Sequence, residues 1–370
     1  MKIAILGCGF IASTHAKVLN EMGILLSLCI DKDIETAKNF AAAWHVGSFS
    51  DDEDMVLDNS IDVVHICTPP NLHYETVKKC LEAGKHVFCE KPLCFDNGQA
   101  EELALLAVSK NLVNAVGFNV RYHMACQKIL NYVKSGELGR IYLIHGSYLQ
   151  EFHAFPAPLD WRYNKVFAGR MRAVTEIGSH WFDLAQYISG KKICSVSANF
   201  GNFNPERTLE DGCMYGRDAD GPEKIAVESE DAAIIQLKFE DGAIGSTVLS
   251  EISQGRVNRL SLEITGENAT VWWDSENNNL IHIGRKGEGV KTEILGFGSG
   301  FNDTERFLFS EVYKDIAAGG PSEEPNYPTF RDACQNVVLC NAVYESATND
   351  STWVHMRQTA FAPQEKTSDY

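Results

Sequence analysis

The 370-residue chain contains no Cys-x-x-Cys pair, although it has 11 cysteines. The nearest spacings are Cys89/Cys94 and Cys334/Cys340. A zinc ribbon or a redox dithiol is not written in that pattern, and no ligand cluster has metal-binding spacing, so no metal is expected. Scattered single thiols in an odd number fit a reducing compartment better than a disulfide framework. No apolar run approaches the ~18 residues of a membrane span. Basic residues are also short: 33 Lys and Arg stand against 50 Asp and Glu, a net charge of -17. That balance argues against a nucleic-acid partner, which presents a basic surface. No charged leader precedes MKIAIL, which enters an apparent strand at once. The expectation is a cytoplasmic protein with neither membrane nor nucleic-acid contacts.

What is present is an ordinary globular composition, 44% hydrophobic and 22% charged. In the first third, short apolar runs alternate with helical patterns. Strands are expected at 2–6, 26–30, 61–67, 85–89 and 112–117. Unbroken apolar strands alternating with helices indicate a parallel sheet covered on both faces. Such sheets bind ligands outside the carboxyl ends of their strands. After residue 117 the rhythm changes. Ala233, Ile235, Leu237 and Phe239 share one face of a strand, and Leu260, Leu262 and Ile264 share another. Glu240-Asp241-Gly242 and Gly266-Glu267-Asn268 read as hairpin connections. Residues 202–224 read as one long polar loop. Two helices close the pattern, at about 304–318 and 329–348, with Thr329 and Asp332 as a capping box for the second. The fold class expected is α/β: an N-terminal Rossmann domain over 1–119, and an α/β domain over 120–370 with a large, mainly antiparallel open sheet for substrate binding and oligomerisation.

Gly7-Cys8-Gly9-Phe10-Ile11-Ala12 falls between the first strand and the first helix. Gly7 permits a tight turn, Gly9 lets a pyrophosphate approach the helix N-terminus, and Ala12 allows close helix–strand packing. Asp31 ends the second strand, where a carboxylate accepts from a ribose 2′-hydroxyl and repels a 2′-phosphate. NAD is therefore favoured over NADP, although Lys32 weakens the distinction. Thr68-Pro69-Pro70-Asn71-Leu72-His73 and Glu90-Lys91-Pro92 emerge on the same rim. Farther along lies Glu176-Ile177-Gly178-Ser179-His180-Trp181-Phe182-Asp183. Ser179 is read as a helix cap, with His180 in the first turn and Asp183 near enough to orient its imidazole. A half-buried structural histidine fits the same residues.

The motifs GCGFIA, TPPNLH, EKP, Asn119 with Arg121, Trp161-Arg162 and GSHWFDL resemble, in order and spacing, the glucose–fructose oxidoreductase / inositol dehydrogenase / MocA family. The stretch 169–183, the segment EDAA (230–233), and Gly255-Arg256 with Asn258 resemble its branch of levoglucosan-type sugar dehydrogenases. The resemblance implies NAD(P)-dependent hydride transfer to or from a secondary alcohol of a sugar, anhydrosugar or cyclitol. It puts the catalytic lysine at Lys91, the histidine at His180 and a carboxylate at Glu176, where the family usually has aspartate. It implies a cis peptide at Pro92. Thr68, Asn71, His73, Glu90, Lys91, Asn119, Trp161 and Arg162 are implied as cofactor contacts beside Gly7, Gly9, Phe10, Ile11, Ala12 and Asp31. Arg121 and Tyr163 join Lys91, Glu176 and His180 as substrate candidates, and Met171 stands where the branch favours serine. A homodimer or homotetramer is expected. Two other functions remain open: an NAD-dependent glycosidase that oxidises its sugar transiently, and a non-enzymatic NAD or sugar sensor.

Overall fold

A computed structural model describes residues 1–361 apart from 220, 222, 297 and 358. The first sheet holds β1 (Ile3–Leu6), β2 (Leu28–Ile30), β3 (Ser48–Ser50), β4 (Val63–Ile66), β5 (His86–Cys89) and β6 (Asn114–Val116). All pairs are parallel, in the order β3-β2-β1-β4-β5-β6. The crossovers run through α1 (Phe10–Glu21), α2 (Ile34–Trp44), α3 (His73–Glu82) and α4 (Asn97–Ser109). IAIL and VVHI are buried at every residue because helices cover both faces. β3 was not expected: Ser-Phe-Ser carries no apolar run and lies largely exposed at the sheet edge. Strand order reverses between β1 and β4, and the loops leaving these two strands open the crevice where such sheets bind ligands.

The second sheet has nine strands. They are β7 (Ile141–Leu149), β9 (Ile193–Gly201), β13 (Ala232–Phe239), β14 (Ile244–Ser250), β15 (Arg259–Gly266), β16 (Thr270–Asp274), β17 (Leu280–Arg285), β18 (Gly289–Ile294) and β19 (Val354–His355). Only β7 and β14 pair in parallel, so the sheet is mainly antiparallel as expected. Ala233, Ile235, Leu237 and Phe239 face the core, where α5 (Met124–Lys134) and α7 (Ser179–Ser189) pack; Ile234 on the other face is exposed.

The segment 202–224, expected as a loop, instead carries strands. β8 (Ala157–Pro158), β10 (Glu206–Glu210), β11 (Cys213–Tyr215) and β12 (Glu223–Ala226) form a four-stranded sheet. Asp211 and Gly212 both have positive φ, +47° and +76°, as a two-residue hairpin turn requires. The Asp-Gly pair was the available signal; the polarity of the flanks hid it, because Arg207 and Thr208 are buried polar residues here.

The last two long helices return to the first sheet. α8 (Phe301–Ala318) packs Leu308, Phe309 and Val312 against Ile3, Ile5 and Phe88. It starts three residues before the expected point because Asp303 accepts the Gly300 N–H at 2.9 Å. α9 (Phe330–Thr348) has the expected capping box and joins both cores: Phe330, Ala333 and Val337 pack with α4, while Leu339 and Val343 pack beneath the nine-stranded sheet. Between the two sheets the short helix α6 (Lys165–Ala168) and α7 bring the second half of the chain over the crevice.

Candidate active site

A cleft of about 610 Å³ runs from the β1 and β4 loops to α7. Gly7 has φ +86°, and a Cβ there would meet the Cys67 backbone at 2.8 Å, so only glycine lets the two loops approach. Gly9 is different: a Cβ would meet nothing within 4 Å. It is the uncapped N-cap of α1, leaving the first N–H groups of that helix unanswered by a side chain. Phe10 is 88% exposed and, with Ile11, lines the cleft; Ala12 is wholly buried and serves packing, not lining. Asp31 accepts from Cys8 N at 2.9 Å and from Asp33 N at 3.1 Å, which fixes its carboxylate at the cleft beside Lys32. Thr68 also lines the cleft, and its hydroxyl is buried without a partner among the described residues. A free helix N-terminus, a fixed carboxylate and an unanswered hydroxyl suit a dinucleotide's phosphates and ribose hydroxyls.

Other expected contacts sit behind the wall. His73 is buried, with ring nitrogens 2.8 Å from Pro92 O and 2.8 Å from Thr68 O, so it braces the two loops. Asn71 does not line the cleft either, and its Oδ1 is buried without a partner among the described residues. Asn119 lines the cleft and donates to Thr304 Oγ1 at 2.9 Å. Glu90 is buried at the cleft floor, accepting from Lys91 N at 3.3 Å and meeting His15 Nε2 at 3.1 Å. The Lys91–Pro92 bond is cis, as the resemblance implies.

Lys91 Nζ donates to Glu176 Oε2 at 3.1 Å and to the Glu176 carbonyl at 3.2 Å. An ammonium has three donors, so one is left for the cleft. Arg162 Nε donates to the same Oε2 at 3.2 Å, and its guanidinium stacks on Trp161 at 4.6 Å. Asp160 holds that turn through Arg162 N and Nη1, at 2.8 and 3.0 Å. Burial acts to raise the Glu176 carboxyl, but the Lys91 and Arg162 charges outweigh it and hold it down at about 2. Residues 174–178 form a π-helical turn, a geometry that recurs at functional sites.

His180 lines the cleft opposite Lys91, edge-on to Phe118 with centroids 5.8 Å apart. Nδ1 is sealed in with no partner among the described residues. Burial, then the Lys91 ammonium, lowers the imidazole to about 3, so the ring is neutral at physiological pH. Ser179 is not the expected cap. The helical path already runs through the π turn, and its hydroxyl donates to Thr175 O at 2.7 Å. Asp183 does not orient His180: it accepts from Arg121 Nε at 2.6 Å in a buried two-pronged pair.

Arg121 is accordingly corrected as a substrate candidate. It is buried against Asp183, lies 3.4 Å from Asp332, stacks on Tyr187 and does not line the cleft. Tyr163 is also turned away: its hydroxyl meets His153 Nδ1 at 2.6 Å and Arg207 Nη1 at 3.1 Å. Met171 lines a separate hollow behind the Lys91 loop, beside Phe95 and Tyr344. Glu53, Phe167, Phe301 and Glu305 line the cleft and were not anticipated. Phe301 and Glu305 come from α8, whose return to the first sheet no local pattern announces.

A Rossmann-type crevice joined to a lysine, a carboxylate and a neutral histidine is the build of a nicotinamide-dependent oxidoreductase. Residues 1–118 match the family model described as "Oxidoreductase family, NAD-binding Rossmann fold", and residues 126–272 match the "GFO/IDH/MocA C-terminal domain". The chain belongs to the GFO/IDH/MocA oxidoreductase family and has its NAD-binding Rossmann fold. It is similar to the levoglucosan dehydrogenase of Pseudarthrobacter phenanthrenivorans, 30% identical over 97% of this chain and 98% of that protein. It is 26% identical to the myo-inositol 2-dehydrogenase of Thermotoga maritima, over 87% of this chain and 90% of that one. A solved levoglucosan dehydrogenase in complex with NADH and L-sorbose superposes with a TM-score of 0.88, at 28% identity over 97% of this chain and 99% of that one.

Proposed function

We propose that the protein is an NAD-linked dehydrogenase of a secondary alcohol on a sugar, anhydrosugar or cyclitol. The observation that carries this reading is the convergence, across one cleft, of a lysine from the first sheet and a neutral histidine from α7. Similarity to levoglucosan and inositol dehydrogenases over nearly the whole chain supports the substrate class.

Bound NAD supplies the ring that exchanges hydride with the carbinol carbon. Gly7, Gly9 and the start of α1 hold its phosphates, Asp31 its ribose, and Thr68, Asn119, Trp161 and Arg162 the opposite half. The third Lys91 N–H donates to the substrate hydroxyl and stabilises alkoxide character as it develops. His180 takes the hydroxyl proton on Nε2, the ring nitrogen that is not sealed. The imidazolium so formed faces the Glu90 and Glu176 carboxylates, both of which favour it. Glu176 holds the Lys91 ammonium in place at the cleft.

Residues 1–119 form the cofactor half and 120–370 the substrate and oligomerisation half, with α8 and α9 contributed back to the first sheet. The nine-stranded sheet exposes Ile234, Ile244 and Val248 on its outer face, a surface suited to a homodimer or homotetramer. Among the described residues no helix is long and apolar enough to cross a membrane. The proposed location is the cytoplasm, and the acidic balance argues against a nucleic-acid partner.

The test is nicotinamide reduction by purified protein with a panel of pyranoses, anhydrosugars and cyclitols, each with NAD and NADP. Stoichiometric reduced nucleotide with at least one of them is expected. Substrate cleavage without net reduction would replace this reading with transient-redox glycoside cleavage.

A further inference from the structure

Beneath the cleft, Glu90 heads a chain of hydrogen-bonded groups whose other members the proposed chemistry does not use. Glu90 Oε1 lies 3.1 Å from His15 Nε2, His15 Nδ1 lies 3.0 Å from His65 Nδ1, and His65 Nε2 lies 2.8 Å from Tyr313 Oη. The four residues come from the end of β5, where Glu90 follows Cys89, and from α1, β4 and α8, and both histidines have zero exposure. Phe88 and Phe309 pack against the two imidazoles at centroid distances of 5.0 to 5.2 Å and seal them from water.

The chain can satisfy itself in only one direction. Exactly one of the two facing Nδ1 atoms carries the shared hydrogen. Suppose it is on His65. Then His65 Nε2 is bare and accepts the Tyr313 O–H, and His15 Nδ1 is bare. His15 Nε2 must then carry hydrogen, which it donates to the Glu90 carboxylate. Every donor is used. The Cys67 thiol, 3.4 Å from His15 Nδ1, can only add a donor to that bare nitrogen. Now place one more proton on the chain, on His15 or on the Glu90 oxygen that faces it, Oε1. The shared hydrogen moves to His15 Nδ1, His65 Nε2 becomes a donor, and the Tyr313 hydroxyl hydrogen loses the one partner it has among the described residues. A buried donor without an acceptor is costly, so the chain resists that proton.

We propose that His15, His65 and Tyr313 are positioning residues for the reaction: their one-way hydrogen-bond chain holds Glu90 as a carboxylate against Lys91. The carboxylate's other oxygen takes the Lys91 backbone N–H at 3.3 Å, so the chain ends on the lysine's own peptide. Gly117 closes the other side, where a Cβ would come within 2.6 Å of Glu90 Oε1. The inference rests on the role given to Lys91 under the proposed function.

The groups facing this carboxylate are consistent with a single negative charge. From α8, Glu305 is wholly buried, and burial with the Glu90 charge pushes it well above the ordinary range. Burial likewise raises the Cys67 and Cys89 thiols and the Tyr313 phenol, and lowers His65. Burial lowers His180 and His73 as well. Burial acts to raise Glu90 itself, but its hydrogen bond and charge interaction with His15, and then the Lys91 charge, outweigh it and lower it. Lys91 is then the cation opposite it.

Two measurements test this. Nitrogen-15 NMR of the histidine side chains in the ligand-free protein reads tautomers without any turnover. The expected result is His65 as Nδ1–H and His15 as Nε2–H, both neutral at neutral pH. His65 as Nε2–H, or either ring as imidazolium, would overturn the polarity even if the dehydrogenase reading stands. The second is the pH profile of kcat, with the KM for NAD measured alongside. Tyr313→Phe removes the hydroxyl that penalises the extra proton, so the acid limb should move up by about one pH unit while the KM for NAD stays near wild type. His15→Gln, which keeps a donor for Glu90, should retain more turnover than His15→Leu. An unmoved limb in Tyr313→Phe, or equal losses in the two His15 variants, would show the chain to be scaffold alone. Should Tyr313→Phe fail to fold, the His15 pair and the wild-type spectrum decide the matter.

Discussion

Replacing Glu176 by Gln removes one charge and almost no volume, between two cations. Oε2 lies 3.1 Å from Lys91 Nζ and 3.2 Å from Arg162 Nε, with the carboxylate side chain only 14% exposed. A carboxyl drawn from 4.5 to about 2 corresponds to about 3 kcal/mol favouring the ionised, folded form. The sign follows from the direction. The folded value lies below the unfolded one, so this stability is fully present above about pH 4.5 and is lost as pH falls through about 2. Glu176→Gln should therefore be less stable at pH 7 by about 2–4 kcal/mol, since it also leaves the mostly buried Lys91 ammonium facing the half-exposed Arg162 without a counter-charge. The deficit should shrink by more than half at about pH 3, where the wild type has begun to lose the same term. Urea unfolding of both proteins at the two pH values measures it. Turnover at pH 7 should fall about 10–100-fold as Lys91 loses its anchor. A stability gap of equal size at both pH values would refute an ionised Glu176 and with it the clamp on Lys91.

The two glycines of the first loop should separate cleanly. Gly7→Ala meets the Cys67 backbone at a positive φ and should cost about 2–4 kcal/mol in unfolding free energy. Gly9→Ala has open space and should cost less than about 1 kcal/mol, yet weaken NAD binding, read by calorimetry, about tenfold or more. Asp31→Ala should reduce the preference for NAD over NADP in kcat/KM about tenfold or more; an unchanged ratio would remove Asp31 from cofactor selection. His180 is held neutral in the folded state, so protonation of the unfolded chain below about pH 6.5 erodes stability until the folded ring itself titrates near 3. His180→Gln should flatten that part of the pH–stability curve, and an unaltered slope would show that the imidazole is not buried neutral.

The periodicities carried much of this into the sequence. IAIL, VVHI and HVFC are continuous apolar runs that only a sheet covered on both faces makes sense of, and alternation in Ala233–Phe239 marked its inward face correctly. Lys91, Glu176 and His180 were legible through motif order and do meet at one cleft. The errors share a cause, which is that side-chain pairing is non-local. Arg121 and Asp183 are 62 residues apart, and nothing near either reveals that each is consumed by the other. Asp183 stands three residues from His180, which is suggestive spacing, but the helix turns it towards Arg121 instead. Ser179 resembled a cap because the π turn before it has no sequence signature. The His15–His65 contact joins a helix face to a strand centre, and Glu305 reaches the cleft only because α8 crosses back. A polar hairpin at 206–215 was hidden by Arg207, a buried arginine paired with Asp231.

The central claim is that Lys91 and His180 act on a substrate hydroxyl while NAD is held elsewhere in the cleft. Single-turnover reduction of NAD by an accepted sugar, in wild type, Lys91→Ala and His180→Ala, with NAD affinity measured separately, addresses it directly. Hydride-transfer rates about 10²–10⁴-fold lower in His180→Ala, with NAD affinity within about threefold of wild type, are the expected result. Rates that fall only in proportion to lost NAD affinity would contradict it, and would return His180 to the role of a structural residue in the cleft wall.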